Sequence, residues 1–269
     1  MKSVDYQKYD KNYFKEVLDL IDYSKPVTVR DLKEIHRYLT SFIHHKKEDI
    51  IVDYGCGSGD LAFLLGMKYQ CNILGIDYSP DAIKIANKNK RSLMKTGSLT
   101  DKRINFLCAS NSDLPKLTNV TAIYLADVIE HLYDEEIDFV MKKFQSWKGR
   151  GPLHIIIHTD NNNFLRYLRP FIDLFALITG KSTLEIIKIR NQWEKERHVN
   201  LTTPAALCKK FKRYHFKKSA FSYSNVNIKN VKGHLGPLGK LPFIVGLTMF
   251  MSKFLPFLLP SFYIVFTKK

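Results

Sequence analysis

The chain has 269 residues, 45% of them hydrophobic, enough to bury a large core in a single α/β domain. Its four cysteines, Cys56, Cys71, Cys108 and Cys208, are far apart and form no C-x-x-C pair, which argues against a disulfide framework and predicts small, buried apolar residues. The net charge of +16 is uneven, with 22 Lys+Arg against 21 Asp+Glu in residues 1–149 but 20 against 5 in residues 150–269, so the second part is suited to an anionic partner: a polynucleotide, a phosphorylated metabolite or an anionic membrane surface.

The polar N-terminus, MKSVDYQKYDKNYF, holds no apolar run of signal-peptide length, and the expectation is a cytoplasmic protein. Two helices, about Lys11 to Ile21 and Val29 to His44, are predicted before the first strand as a lid within residues 1–48. The apolar strand Ile50 to Tyr54 then carries Asp53 and runs into Gly55, Cys56, Gly57 and Gly59, followed by Asp60. Glycines at a strand-to-helix turn let a small molecule lie against bare backbone, with the first helical amides pointing at it. The spacing departs from the dinucleotide fingerprint G-x-G-x-x-G, and Asp60 would set a carboxylate against a diphosphate.

These residues resemble motif I of the class I S-adenosylmethionine (SAM) methyltransferases, specifically the methyltransferase type 11 and ubiquinone-biosynthesis O-methyltransferase groups. The resemblance implies SAM as cofactor, with its methionine end on the glycines. The next strand, Asn72 to Ile76, leads to Asp77, eighteen residues after Gly59, where nucleotide-binding α/β folds hold a ribose hydroxyl pair. Tyr78 would lie along the adenine. Ser79 and Pro80 open a helix with apolar Ala82, Ile83, Ile85 and Ala86. In INFLCASNSDLP, strand Asn105 to Cys108 exits through Ser110, which stands where the family has an adenine-binding aspartate, while Asp113 comes three residues later. Adenine contacts are therefore expected from Ser110 and the Asn111 backbone.

Strand Ala122 to Ala126 ends in Asp127, Glu130 and His131, at the edge where ligands of open α/β sheets bind. Ala126 is expected against the cofactor. His131 is the candidate base for an acceptor hydroxyl, with Glu130 beside it, or else a histidine bound to loop backbone. Asp127-x-x-Glu130-His131 also resembles the E-x-x-E-H segment that binds a divalent metal in ubiquinone-biosynthesis O-methyltransferases and small-RNA 2′-O-methyltransferases. A later histidine of those families matches His198, which would complete an Mg²⁺ or Mn²⁺ site. Similar strings occur in metal-free members, and here the first position is Asp rather than Glu.

A fifth strand, Leu153 to His158, and an antiparallel pair at about Phe216 to Tyr223 and Phe262 to Thr267 complete a Rossmann-like, seven-stranded, mostly parallel sheet with helices on both faces. Two segments exceed that minimum: a substrate-side insertion at about 161–199 and an apolar one at about 233–260. The apolar runs of the second are too short and too broken by proline to span a bilayer, but suit an interfacial position. These features predict a SAM-dependent methyltransferase that O-methylates a lipid-linked, quinone-type or glycan acceptor near an anionic membrane. The alternatives are an RNA 2′-O-methyltransferase and a non-catalytic binding protein of the same fold.

Overall fold

The computed structural model describes residues 5, 21–100, 103–149, 151–170, 173–174, 198–224, 232 and 239–269. The predicted helix at 11–21, most of the 161–199 insertion and the first residues of the apolar segment lie outside these.

Seven strands form one sheet in the order β3-β2-β1-β4-β5-β7-β6. They are β1 (Ile50–Tyr54), β2 (Asn72–Asp77), β3 (Ile104–Cys108), β4 (Ala122–Ala126), β5 (Leu153–Asp160), β6 (Lys217–Tyr223) and β7 (Ser261–Lys268). Neighbours from β3 to β5 run parallel, and β7 is antiparallel to both β5 and β6. The central strands β1, β4 and β5 carry apolar runs, as strands covered on both faces do. On one face β1, β4 and β5 bury Val52, Ile123 and Ile155 against Phe144 and Trp147; on the other Ile51, Tyr124 and Ile156 meet Phe63 and Leu64.

The helices used below are α1 (Glu34–Leu39), α2 (Asp60–Tyr69), α3 (Pro80–Lys95), α4 (Asp134–Trp147), α5 (Pro204–Lys212) and α6 (Pro242–Phe254). Helix α3 begins as its sequence requires: the Ser79 side chain accepts from the Ala82 amide and Pro80 fills the first turn.

Two expectations need correction. The helix predicted over Val29 to His44 is instead a 3₁₀ turn at Val29–Asp31 followed by the short α1. Asp31 folds back onto the Thr28 amide and hydroxyl, closing a one-turn capping box, and the chain leaves it extended at Leu32. Cys56 and Cys71 are buried and Cys208 is partly so, but Cys108 is exposed, because it ends the edge strand β3.

The two segments beyond the minimal sheet meet at Asn161. This buried side chain donates to the carbonyls of Phe257 and Leu259, and its amide to that of Pro260.

Candidate active site

The candidate residues lie at or just beyond the carboxyl ends of β1, β2, β3 and β4, apart from His198, which lies between β5 and α5. Gly55 has φ +76° and Gly59 φ +88°, conformations that favour glycine. A Cβ on Gly55 would meet Val128 Cγ2 at 2.5 Å, and one on Gly59 would meet Phe106 Cζ at 2.8 Å, so both positions are also sterically reserved. Asp77 is buried and accepts from the amides of Gly57 at 2.9 Å and Ser79 at 2.8 Å, clamping the glycine loop to the tip of β2.

Asp53 differs from Asp77 in what surrounds it. Its Oδ2 is buried and has no hydrogen-bond partner among the described residues. Burial, followed by the nearby Asp77 carboxylate, pushes its pKa up to about 8 despite an amide bond from Ala62. A buried oxygen of this kind fits a cationic group of a ligand.

Ser110 and Asp113 occupy one place. The 3₁₀ turn Asn111–Asp113 brings the aspartate back, and the Ser110 hydroxyl donates to its carboxylate. The Asn111 side chain is committed elsewhere, accepting from the Tyr54 hydroxyl and donating to Glu136 at 2.8 Å. Tyr78 packs on Ala82 with Ile85, Tyr133 and Val199.

At the tip of β4, Ala126 is partly buried and Asp127 takes φ +57°. The parallel register sets Ala126 beside His158 of β5, and Asp127 Oδ1 lies 2.5 Å from His158 Nδ1. His158 Nε2 lies 2.9 Å from Ser261 Oγ, and its ring lies 4.6 Å from that of Tyr263. Burial alone would raise Asp127 and lower His158. The charge and hydrogen bond of the pair win in both, leaving Asp127 at about 2 and His158 above its ordinary value.

Glu130 is buried, accepts from the Thr159 hydroxyl at 2.7 Å, and offers its carbonyl to the amides of Val199 and Asn200. Burial first, then Asp127 and Asp160, push its carboxyl well above the ordinary range. The His131 ring lies edge-on to that of His198 with centroids 4.9 Å apart, and His198 Nδ1 is 3.6 Å from Asp160.

The sequence reading gave no role to His158, Tyr263 or His36. His158 was detectable as a histidine directly after the apolar run Ile155 to Ile157 near the carboxyl end of β5. His36 of α1 has a buried Nδ1 with no partner, and burial holds its imidazole at about 4 against the pull of Asp60 and Asp127. The same N-terminal segment is fixed over α2 by the Tyr23 hydroxyl, which donates to Asp60 at 2.5 Å.

Among the described residues no three His, Cys, Asp or Glu side chains are arranged to hold a metal ion. Of the four proposed ligands, Asp127 is turned to His158 and Glu130 to Thr159. In this arrangement the four residues do not fit a metal ion.

Residues 51–148 match the family described as "Methyltransferase domain". This stretch matches a methyltransferase domain, and the sheet it belongs to is Rossmann-like. The match spans the glycine loop, Asp77, the Ser110 turn and the β4 tip.

Solved structures resemble the chain beyond that domain. One is geranyl diphosphate C-methyltransferase from Streptomyces coelicolor A3(2) with Mg²⁺, geranyl diphosphate and S-adenosyl-L-homocysteine. It is 14% identical, with a TM-score of 0.53 over 86% of this chain and 76% of that one. Magnesium protoporphyrin IX methyltransferase from Synechocystis PCC 6803 with bound S-adenosyl-L-homocysteine is 12% identical, with a TM-score of 0.52 over 90% and 83%. A small RNA methyltransferase is 18% identical, with a TM-score of 0.57 over 86% of this chain but only 25% of that one. Identities this low establish the common methyltransferase fold.

Proposed function

We propose that the chain transfers the methyl group of SAM to a hydroxyl oxygen of a lipid-linked, quinone-type or glycan acceptor at an anionic membrane surface. SAM supplies an electrophilic methyl on a positively charged sulfonium. The observation that carries the cofactor reading is Asp53 Oδ2, buried without a partner below a glycine turn whose Cβ positions are already filled. Asp77 has a lone pair to spare for the ribose hydroxyls beyond its bonds from the Gly57, Ser79 and Tyr78 amides. The Ser110–Asp113 turn offers a carboxylate for the adenine edge. Asp127, about half exposed and held ionised by His158, orients the acceptor hydroxyl. It is too weak a base to remove that proton at neutral pH, and His131, backed by His198 and Asp160, takes it.

Asp53 gives the cofactor reading a pH signature. Its pKa in the free protein, about 8, lies above the ordinary 3.8, so the folded chain favours the protonated acid. That preference is without cost below the unfolded value and weighs against stability as pH rises from about 4 to 8. A cationic ligand reverses it by favouring the carboxylate. SAM binding is therefore expected to release a proton near pH 7 and to tighten as pH rises towards 8. Calorimetry in buffers of different ionisation enthalpy measures the proton count, and zero release would remove Asp53 from the cofactor site.

The membrane part rests on α6. Among the described residues no helix is long and apolar enough to cross a bilayer, yet Phe243, Leu247, Phe250 and Phe254 are exposed on one face of α6, with Phe257 just beyond. The protein is expected to co-sediment with vesicles of equimolar phosphatidylcholine and phosphatidic acid. Salt should weaken that binding, because each nearby Lys or Arg contributes about 1 kcal/mol and is screened. Serine at Phe250, Phe254 and Phe257 together should weaken it even in low salt while SAM binding persists. The RNA 2′-O-methyltransferase reading draws on the same basic C-terminal half. It predicts indifference to vesicles and a steep log-log salt dependence of RNA binding, lost when Lys209, Lys210, Lys212 and Arg213 are neutralised.

A further inference from the structure

Helix α6 carries two stripes. Val245, Met249 and Ser252 follow the i, i+4, i+7 spacing of one face, and Val245 is buried. Phe243, Leu247, Phe250 and Phe254 repeat that spacing on another face and point outward, with Phe243 78% exposed. On the inner side lies a groove of about 310 Å³, lined by Tyr38 of α1, Ser222, Tyr223 and Ser224 at the end of β6, and Met249, Ser252 and Lys253 of α6.

The lining has a clear polarity. It contains a lysine and hydroxyls and no carboxylate. Three of the hydroxyl protons are spent inside the fold: Tyr38 donates to Ser222 Oγ, Ser222 to the Tyr223 carbonyl, and Ser252 to the Met249 carbonyl. Lys253, Tyr223 and Ser224 remain as donors, and among the described residues none of the three hydrogen-bonds through its side chain. Donors without an acceptor of their own fit an anion. The groove is also tied to the β4 tip. The Tyr38 ring lies 4.7 Å from Tyr263, and Tyr263 lies 4.6 Å from His158, which holds Asp127.

Size decides how much of a ligand fits. At about 310 Å³ the groove is at the small end of ligand pockets, room for a phosphate-bearing head and little of a long chain. A long apolar chain must leave the groove, and the outward Phe stripe begins on the other side of the same helix. A neutral head would leave Lys253 without a counter-charge, whereas the second part of the chain, with 20 Lys+Arg against 5 Asp+Glu, favours anions generally.

We propose that this groove is the head-group subsite for a phosphorylated amphiphile, held by Lys253, Tyr223 and Ser224, with its apolar chain following α6 into the membrane. The proposal rests on the methyltransferase reading only in making that amphiphile the methyl acceptor.

The test titrates the full-length protein with dodecyl phosphate below its micellar concentration, with inorganic phosphate, and with the neutral amphiphile octyl glucoside. Dodecyl phosphate is expected to bind at least tenfold more tightly than either of the others. Lys253→Glu, on an exposed helical position where folding is safe, should weaken dodecyl phosphate about tenfold or more, as for a charge-assisted hydrogen bond. SAM affinity should stay within twofold in that variant. Ser224→Ala should weaken dodecyl phosphate a few-fold. Equal affinity for inorganic phosphate would overturn the amphiphile. Indifference to both substitutions would overturn the subsite, and so would displacement of dodecyl phosphate by a short polyuridylate at lower concentration. Failure to bind SAM in the unmodified protein is a separate result. It would remove the methyltransferase reading and leave the dodecyl phosphate measurements to stand alone.

Discussion

Replacing His131 by alanine is expected to lower kcat about 10²–10⁴-fold, the range for loss of a general base, while SAM affinity is kept. The reason lies in how charge is distributed at the tips of β4 and β5. Asp127 is held at about 2 and cannot accept a proton efficiently at neutral pH, and the Glu130 carboxylate is buried and engaged by the Thr159 hydroxyl. His131 is partly exposed, with its ring edge-on to that of His198 and the Asp160 carboxylate 3.6 Å from His198 Nδ1. Glu130→Gln provides the contrast. If the carboxyl is protonated and serves Thr159 and the loop at Val199, glutamine is close to isosteric and turnover should change by less than a few-fold. Were Mg²⁺ or Mn²⁺ bound there instead, the same substitution would abolish turnover and a chelator would do so in the unmodified protein. A fall in rate of less than a few-fold in His131→Ala, with the fold intact, would place the proton acceptor elsewhere.

What could be read from the sequence follows from how local each signal is. Buried parallel strands are short apolar runs, so β1 and β4 are recognisable to the residue, and the glycines with Asp77 announce the cofactor loop because strand, turn and acid lie within a short stretch. The Asp127–His158 pair was invisible for the opposite reason. It depends on the register of β4 with β5, 31 residues apart, and on Ser261 of β7, 103 residues from His158. Sequence alignment put Asp113 out of reach of the adenine position. A single 3₁₀ turn returns its carboxylate to Ser110, a displacement that counting residues along an extended chain misses. The helix predicted from Val29 failed because apolar periodicity continued across Thr28 to Asp31, where side-chain capping closes a turn and the backbone then extends. The aromatic path from Tyr38 through Tyr263 to His158 joins three distant segments and has no sequence signature.

Asp77→Ala is expected to cost about 1.5–3 kcal/mol of SAM affinity, ten- to a hundredfold or slightly more, and to lower thermal stability as well. Both effects come from one carboxylate with two tasks. Its oxygens accept from Gly57 and Ser79 at a position only 8% exposed, so alanine leaves two amides at the loop without their acceptor. Burial leaves the Asp77 carboxyl above its ordinary value, although the amide bonds from Ser79, Gly57 and Tyr78 offset part of that cost. A ribose hydroxyl pair donating to the same oxygens would add to that support. Asp77→Asn separates the tasks. Its remaining carbonyl oxygen can keep one amide, so the fold should survive with a smaller loss of melting temperature, while the charge-assisted part of the ribose bond disappears. Calorimetric titration of SAM and S-adenosylhomocysteine against both variants gives the comparison. If the asparagine protein is folded and binds both ligands as tightly as the unmodified chain, Asp77 serves the loop alone and the ribose must be held by other groups.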